Sequence, residues 1–222
     1  VPDLIMAIDI KICGVNTAES LAAAVKAGAN YIGFVFYPPS PRAVTPEEAG
    51  ALALVVPPSV RKVGLFVDPS DEMLAEVLRA VPLDVIQLHG GESPERVLEI
   101  RARTGKPVFK AIRIETQDDV SLAHTYEDSA DFLLFDAKPP KSMPLALPGG
   151  NGLAFDWGLI SGARWKRGWI LSGGLTPDNV ADAMEQSGAT FVDVSSGVED
   201  RPGFKNPEKI EAFVTAARNA NP

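Results

Sequence analysis

The 222-residue sequence holds one cysteine, Cys13, and two histidines, His89 and His124. A single thiol excludes an intramolecular disulfide and any multi-thiolate zinc site, and a reducing cytoplasm is its simplest home. The two histidines lie on distant segments and form no H-E-x-x-H, so no metal site is expected. No Gly-x-Ser-x-Gly elbow is present, which argues against a serine hydrolase. No apolar run approaches the roughly 20 residues of a membrane span, and no secretory leader with an A-x-A site is expected. Basic residues are in deficit too. The 21 Lys and Arg against 29 Asp and Glu leave a net charge of −8, which argues against general nucleic-acid or anionic-membrane binding. A small anionic ligand stays compatible, because helix N-termini and backbone N–H groups attract phosphate locally.

What is present is ordinary globular stock, 45% hydrophobic and 23% charged, which excludes disorder. A chain of this length buries roughly 70% of its unfolded surface, enough for a full core without staples. Short runs rich in Val, Ile, Phe and Leu predict strands over 8–13, 31–36, 62–67, 84–89, 108–113, 132–136, 169–172 and 191–195. Helical patterns predict helices over 17–27, 46–56, 70–81, 94–103, 117–126, 156–162, 177–187 and 207–219. Thr45-Pro46, Ser93-Pro94, Thr176-Pro177 and Asn206-Pro207 each set an N-cap residue before a proline at the first helical position. Thr45 with Glu48, and Asn16 with Glu19, have capping-box spacing, and Gly28, Gly105 and Gly188 stand where helices should end.

Strict alternation leaves a doubly wound sheet or a closed (β/α)₈ TIM barrel. The first strand runs into Cys13-Gly14-Val15-Asn16 with no G-x-G-x-x-G. Units of about 28 residues suit a single-domain barrel spanning 1–222. Residues 1–6 carry no pattern and do not begin with Met, which reads as a disordered, processed or vector-encoded tail. The Pro-rich stretches at 37–46 and 137–150 read as loops, the second long enough for a lid.

Active sites of such barrels lie at the carboxyl ends of the strands, which shortlists Lys11, Cys13, Gln87, His89, Lys110, Asp136, Lys138, Ser172, Asp193 and Ser195. Cys13 reads either as a buried structural thiol or as a thiolate at the barrel mouth. Asp136 closes the apolar run Phe132–Phe135, where an acid caps a loop or serves the site. Asp193, between Val192 and Val194, is harder to explain structurally. His89 is open between a structural and a site role, and His124 reads as a solvated helix residue. Ser172-Gly173-Gly174-Leu175 and Ser195-Ser196-Gly197-Val198 leave the last two strands, where this fold forms its phosphate cradle.

With those residues placed, the chain resembles the phosphoribosylanthranilate isomerase family of tryptophan biosynthesis over nearly its whole length. The carriers are Lys11-Ile12-Cys13-Gly14, Gly33-Phe34-Val35-Phe36-Tyr37-Pro38 with Ser40-Pro41-Arg42, Val63-Gly64-Leu65-Phe66-Val67, and Gln87-Leu88-His89-Gly90. Phe155-Asp156-Trp157, Leu171-Ser172-Gly173-Gly174-Leu175 and Val192-Asp193-Val194-Ser195-Ser196-Gly197-Val198-Glu199 complete them. The resemblance implies an Amadori rearrangement with Cys13 as general base and Asp136 as general acid, and no cofactor or metal. It implies Arg42 on the anthranilate carboxylate, Asp193 near the ribose hydroxyls, and Lys11 and His89 as further substrate contacts. Gly173, Gly174, Ser196 and Gly197 would form the phosphate site. The expected partner is a small phosphorylated substrate, with no nucleic acid, no membrane and a monomer as the default. Two departures stand out: Asn206 follows Lys205 where an acid is common, and the 137–150 loop carries Pro139, Pro140, Pro144 and Pro148. Two other functions fit the residues: a lysine Schiff-base aldolase using Lys110 or Lys138, and a non-catalytic sugar-phosphate-binding barrel.

Overall fold

The apolar runs pair in chain order and close on themselves. The computed structural model describes residues 8–140, 142–143 and 147–222, so the expected tail at 1–6 and Pro144 lie outside the described residues. Eight parallel strands, β1 (Asp9–Cys13), β2 (Tyr31–Val35), β3 (Arg61–Phe66), β4 (Val85–Leu88), β5 (Val108–Ile114), β6 (Phe132–Ala137), β7 (Gly168–Leu171) and β8 (Phe191–Val194), make a closed barrel in that order. The ring shuts where β1 pairs with β8, Lys11 opposite Asp193 and Ile12 opposite Val194. That closure excludes the doubly wound sheet, which has free edges.

The helices are α1 (Ala18–Ala27), α2 (Pro46–Ala53), α3 (Asp71–Ala80), α4 (Pro94–Thr104), α5 (Gln117–Ala123), α6 (Val180–Ser187) and α7 (Pro207–Asn219). Local chemistry sets their ends. Thr45 accepts from the Glu48 amide while the Glu48 carboxylate accepts from the Thr45 amide, a capping box ahead of Pro46. Ser93 and Asn206 cap α4 and α7 in the same pre-proline position. Gly28, Gly105 and Gly188 take left-handed φ at the ends of α1, α4 and α6.

Three local expectations are corrected. The stretch 156–162 forms only a 3₁₀ turn, Trp157–Leu159, capped by Asp156. Gly158 and Gly162 (φ 74°) interrupt it, and seven residues with two glycines cannot sustain a helix. The helix expected from Pro177 starts at Val180, because Asn179 Oδ1 accepts from the Thr176 amide and makes 176–179 a turn. The α1 capping box belongs to Thr17 and Ser20, leaving Asn16 Nδ2 to donate to the Gly203 carbonyl at 3.1 Å.

Inside the ring the side chains stack in layers, as strand alternation requires. The floor is an aromatic plug in which Tyr31 stacks on Phe191 (centroids 4.8 Å apart) and Phe109 packs at a tilt against Phe132 (5.2 Å). Val63, Val85, Leu134 and Ile170 join it. A polar layer lies above, and Cys13, Val35 and Leu65 above that. With the floor sealed, ligand reaches the interior only from the carboxyl ends of the strands. There a short hairpin, β9 (Glu199–Arg201) and β10 (Phe204–Lys205), folds beside the mouth.

Candidate active site

On one side of the mouth the chemistry is ionic. β1 and β8 put Lys11 and Asp193 in register, and Lys11 Nζ lies 2.7 Å from Asp193 Oδ1 with both side chains buried. Ser172 Oγ donates to the other Asp193 oxygen at 3.2 Å. Two residues along β1 from Lys11, Cys13 faces the same interior. Burial pushes its thiol up, the Lys11 ammonium pulls it back, and the Asp193 carboxylate adds to the rise; the thiol ends above its ordinary value. Burial pulls the Lys11 ammonium down, but Asp193 and Cys13 beside it hold it above the usual lysine range.

Across the mouth the chemistry is a hydrogen-bonded chain. Gln87 Nε2 lies 3.1 Å from His89 Nδ1, and His89 Nε2 lies 3.1 Å from Asp136 Oδ2. The imidazole thus bridges the Gln87 amide and the Asp136 carboxyl group through its two ring nitrogens. Asp136 Oδ1 accepts from the Ala137 amide at 2.9 Å. All three side chains are buried, and Gln87 Oε1 has no partner among the described residues.

Arg42 completes the rim. Its Nε and Nη2 each donate to Glu199 at 2.8 Å, and Nη2 also donates to the Gly150 carbonyl at 3.2 Å. Glu199 therefore takes one edge of the guanidinium fork. The other edge, Nη1 and Nη2, faces the 147–154 strap. Three glycines let that strap lie flat over the mouth. A Cβ on Gly149 would meet Asp136 Oδ2 and His89 Nε2 at 2.7 Å, and one on Gly150 would meet Arg42 Nη1 at 2.6 Å. Gly152 sits by Ser196, and the backbone of Leu153 and Ala154 packs against Gly174. The cavity beneath, partly open at the mouth, is about 60 Å³, room for a few water molecules.

The structure brings Cys13, Arg42, His89, Asp136, Gly173, Gly174, Asp193 and Ser196 to that one cavity. Lys11 lies buried against Asp193 and is not among the lining residues. Gly197 packs on the Leu175 carbonyl, too close for any side chain. Gly173 and Gly174, at φ 85° and 63°, turn the β7 exit back over the mouth. His124 is exposed and stacks on Trp165. Among the described residues no group of three His, Cys, Asp or Glu is placed to hold a metal ion.

The aldolase reading fails on geometry. Lys110 alternates out of the barrel interior: its Nζ is 2.7 Å from Glu92 and 2.8 Å from the Gly90 carbonyl, behind the wall. Lys138 is bound to Asp119 at 2.9 Å on the outside. Neither amine lines the cavity. Sequence reasoning missed Lys205, treating it only as the residue before a helix cap. The Pro202-Gly203 pair was the available signal, since such a dipeptide marks a turn that would fold Lys205 back on Glu199.

Residues 10–216 match the model of the family described as N-(5'phosphoribosyl)anthranilate (PRA) isomerase. The chain is 56% identical over 212 residues to the N-(5'-phosphoribosyl)anthranilate isomerase of Rhodospirillum centenum, covering 96% of this chain and 99% of that one. A similar relative from Paracoccus denitrificans is also 56% identical, covering 96% and 98%. Among solved structures, the phosphoribosyl anthranilate isomerase from Thermotoga maritima superposes with a TM-score of 0.84 at 37% identity, covering 95% of this chain and 98% of that one. A phosphoribosyl anthranilate isomerase solved with reduced 1-(o-carboxyphenylamino)-1-deoxyribulose 5-phosphate superposes at 0.79 with 34% identity, covering 95% and 98%. Among the described residues, no helix is long and apolar enough to cross a membrane.

Proposed function

The chain belongs to the N-(5'-phosphoribosyl)anthranilate isomerase family, and on that premise we propose how its own residues carry the reaction. The reaction is the Amadori rearrangement of N-(5'-phosphoribosyl)anthranilate to 1-(2-carboxyphenylamino)-1-deoxyribulose 5-phosphate, in tryptophan biosynthesis. The observation that supports the residue roles is the meeting of Cys13 and Asp136, from β1 and β6, on one cavity rimmed by a half-occupied arginine fork.

Asp136, as the carboxylic acid, gives a proton to the furanose ring oxygen. The C1′–O bond breaks as the anilino nitrogen lone pair forms the iminium. The Cys13 thiolate then takes the C2′ proton, leaving an enolamine that tautomerises to the ketone. Each transfer contributes typically 10²–10⁴ in rate. His89 holds Asp136 in place through Nε2, and Gln87 holds His89. The free edge of Arg42 suits a planar carboxylate bound in parallel by Nη1 and Nη2. In the closed strap the Gly150 carbonyl takes one of those donors, so the anthranilate carboxylate replaces a bond rather than filling bare space. Asp193 faces the ribose hydroxyls, and Gly173, Gly174, Ser196 and Gly197 face the phosphate. Every residue invoked comes from one chain, so a monomer is a complete catalytic unit. A buried thiol that must stay reduced suits the cytoplasm.

The test is loss of anthranilate-type fluorescence as purified protein turns over fresh phosphoribosylanthranilate, beside Cys13→Ala. Rapid loss that disappears in the variant is expected. No loss with the intact protein and sound substrate would reduce the assignment to a phosphate-binding barrel.

A further inference from the structure

Lys205 is a cation at the mouth with a fully buried side chain that the reaction steps do not use. Its side chain is fully buried at the end of β10, and Nζ lies 2.7 Å from Glu199 Oε1, the oxygen that also accepts from Arg42 Nε. The same ammonium donates to the Ser195 carbonyl at 2.9 Å and lies 3.3 Å from Ser195 Oγ. Ser195 Oγ in turn donates to the Cys13 carbonyl at 3.1 Å. One amine thus joins the carboxylate behind Arg42, the exit of β8 where the phosphate loop begins, and the end of β1.

Charge makes the arrangement directional. Arg42 and Glu199 alone form a neutral buried pair, and a neutral pair attracts an anionic ring substituent weakly. Lys205 gives the cluster a net charge of one positive in a site shielded from water, where charges act strongly. Burial pulls the Lys205 ammonium down while Glu199 and Cys13 pull it up, and burial prevails. Burial raises the Glu199 carboxyl, but Arg42 and Lys205 together hold it below the ordinary range, so it stays an anion between two cations.

We propose that Lys205 is a positioning and specificity residue of the site: it fixes the Glu199 carboxylate behind Arg42 and supplies the surplus positive charge that selects an N-aryl substrate bearing a carboxylate. This rests on the isomerase reading above and deepens it. Lys205 does not touch the substrate; it acts through Glu199 and Arg42.

The experiment uses the intact protein and two probes, the reduced carboxyphenylamino-deoxyribulose phosphate and ribose 5-phosphate, which has the phosphate but no aryl carboxylate. In Lys205→Met the first should bind about tenfold more weakly and the second within about twofold of the parent, with KM for phosphoribosylanthranilate rising more than kcat falls. Lys205→Arg should restore most of the loss. In an Arg42→Met background, adding Lys205→Met should cost no further affinity, because the arm it serves is gone. Lys205→Gln keeps a donor and removes the charge, and makes the same test if the methionine variant does not fold. Equal weakening of both probes, or no weakening of either, overturns the proposal. Wild-type protein that fails to turn over phosphoribosylanthranilate overturns the isomerase reading itself, whatever the variants do.

Discussion

The two sides of the barrel mouth solve opposite problems. The β8–β1–β2 side is built from buried ions, Lys11 paired with Asp193 and Glu199 held between Arg42 and Lys205. The β4–β6 side, with Gln87, His89 and Asp136, is built from a relay of hydrogen bonds ending on a carboxylate. A base that must carry negative charge on sulfur gains from nearby ammonium groups. The difference fits the proton traffic proposed above, donated from the β6 side and collected on the β1 side.

The largest test breaks each side at its end group. Cys13→Ser and Asp136→Asn should each lower kcat by about 10²–10⁴ while the reduced product analogue still binds, read by stopped-flow fluorescence and calorimetry. Near-normal kcat in either variant removes that residue from the mechanism. A smaller effect sharpens the contrast: Gln87→Leu frees the His89 ring and should cost about tenfold in kcat with little change in KM. The sides should also separate by pH. Because the Cys13 thiol lies above its ordinary value, its reactive thiolate gains population as pH rises, so kcat/KM should climb from neutral into the alkaline range. Lys11→Met removes the nearest stabilising cation and should move that climb to still higher pH, whereas Gln87→Leu should leave its position unchanged. A limb that ignores Lys11 would detach it from Cys13.

Two weaker perturbations serve as boundaries. Gly150→Ala places a methyl 2.6 Å from Arg42 Nη1 at φ 72°, so the strap should sit ajar and KM rise several-fold with modest change in kcat. Thr45→Ala removes a helix cap that does not line the cavity and should cost about 1 kcal/mol of stability, visible in Tm, with kcat unchanged.

Most of the barrel was legible because its signals are local. Doubly buried strands announce themselves as short apolar runs, and Thr45-Pro46 or Ser93-Pro94 mark helix starts within four residues. The site was legible as a set of strand-end residues, since Lys11 with Cys13 and Asp193 with Ser195 follow from two-residue alternation. What stayed hidden were pairings between distant segments. Nothing near Arg42 reports that Glu199 occupies half its fork, and nothing near Lys110 reports that it faces Glu92 behind the wall instead of the cavity. The 156–162 stretch misled for a local reason: its apolar spacing imitates a helix while two glycines remove the means to hold one.

The pairing that closes the ring has a consequence in time. Lys11 and Asp193 stand 182 residues apart in sequence, and β1 gains its second neighbour only when β8 arrives. During synthesis Lys11 emerges 182 residues before Asp193, so the growing chain carries a lysine whose partner in the finished core does not yet exist. A solvated ammonium on a strand edge resists sealing into an apolar interior, which discourages premature closure of a partial barrel. The ion pair therefore forms only once β8 has emerged and paired with β1.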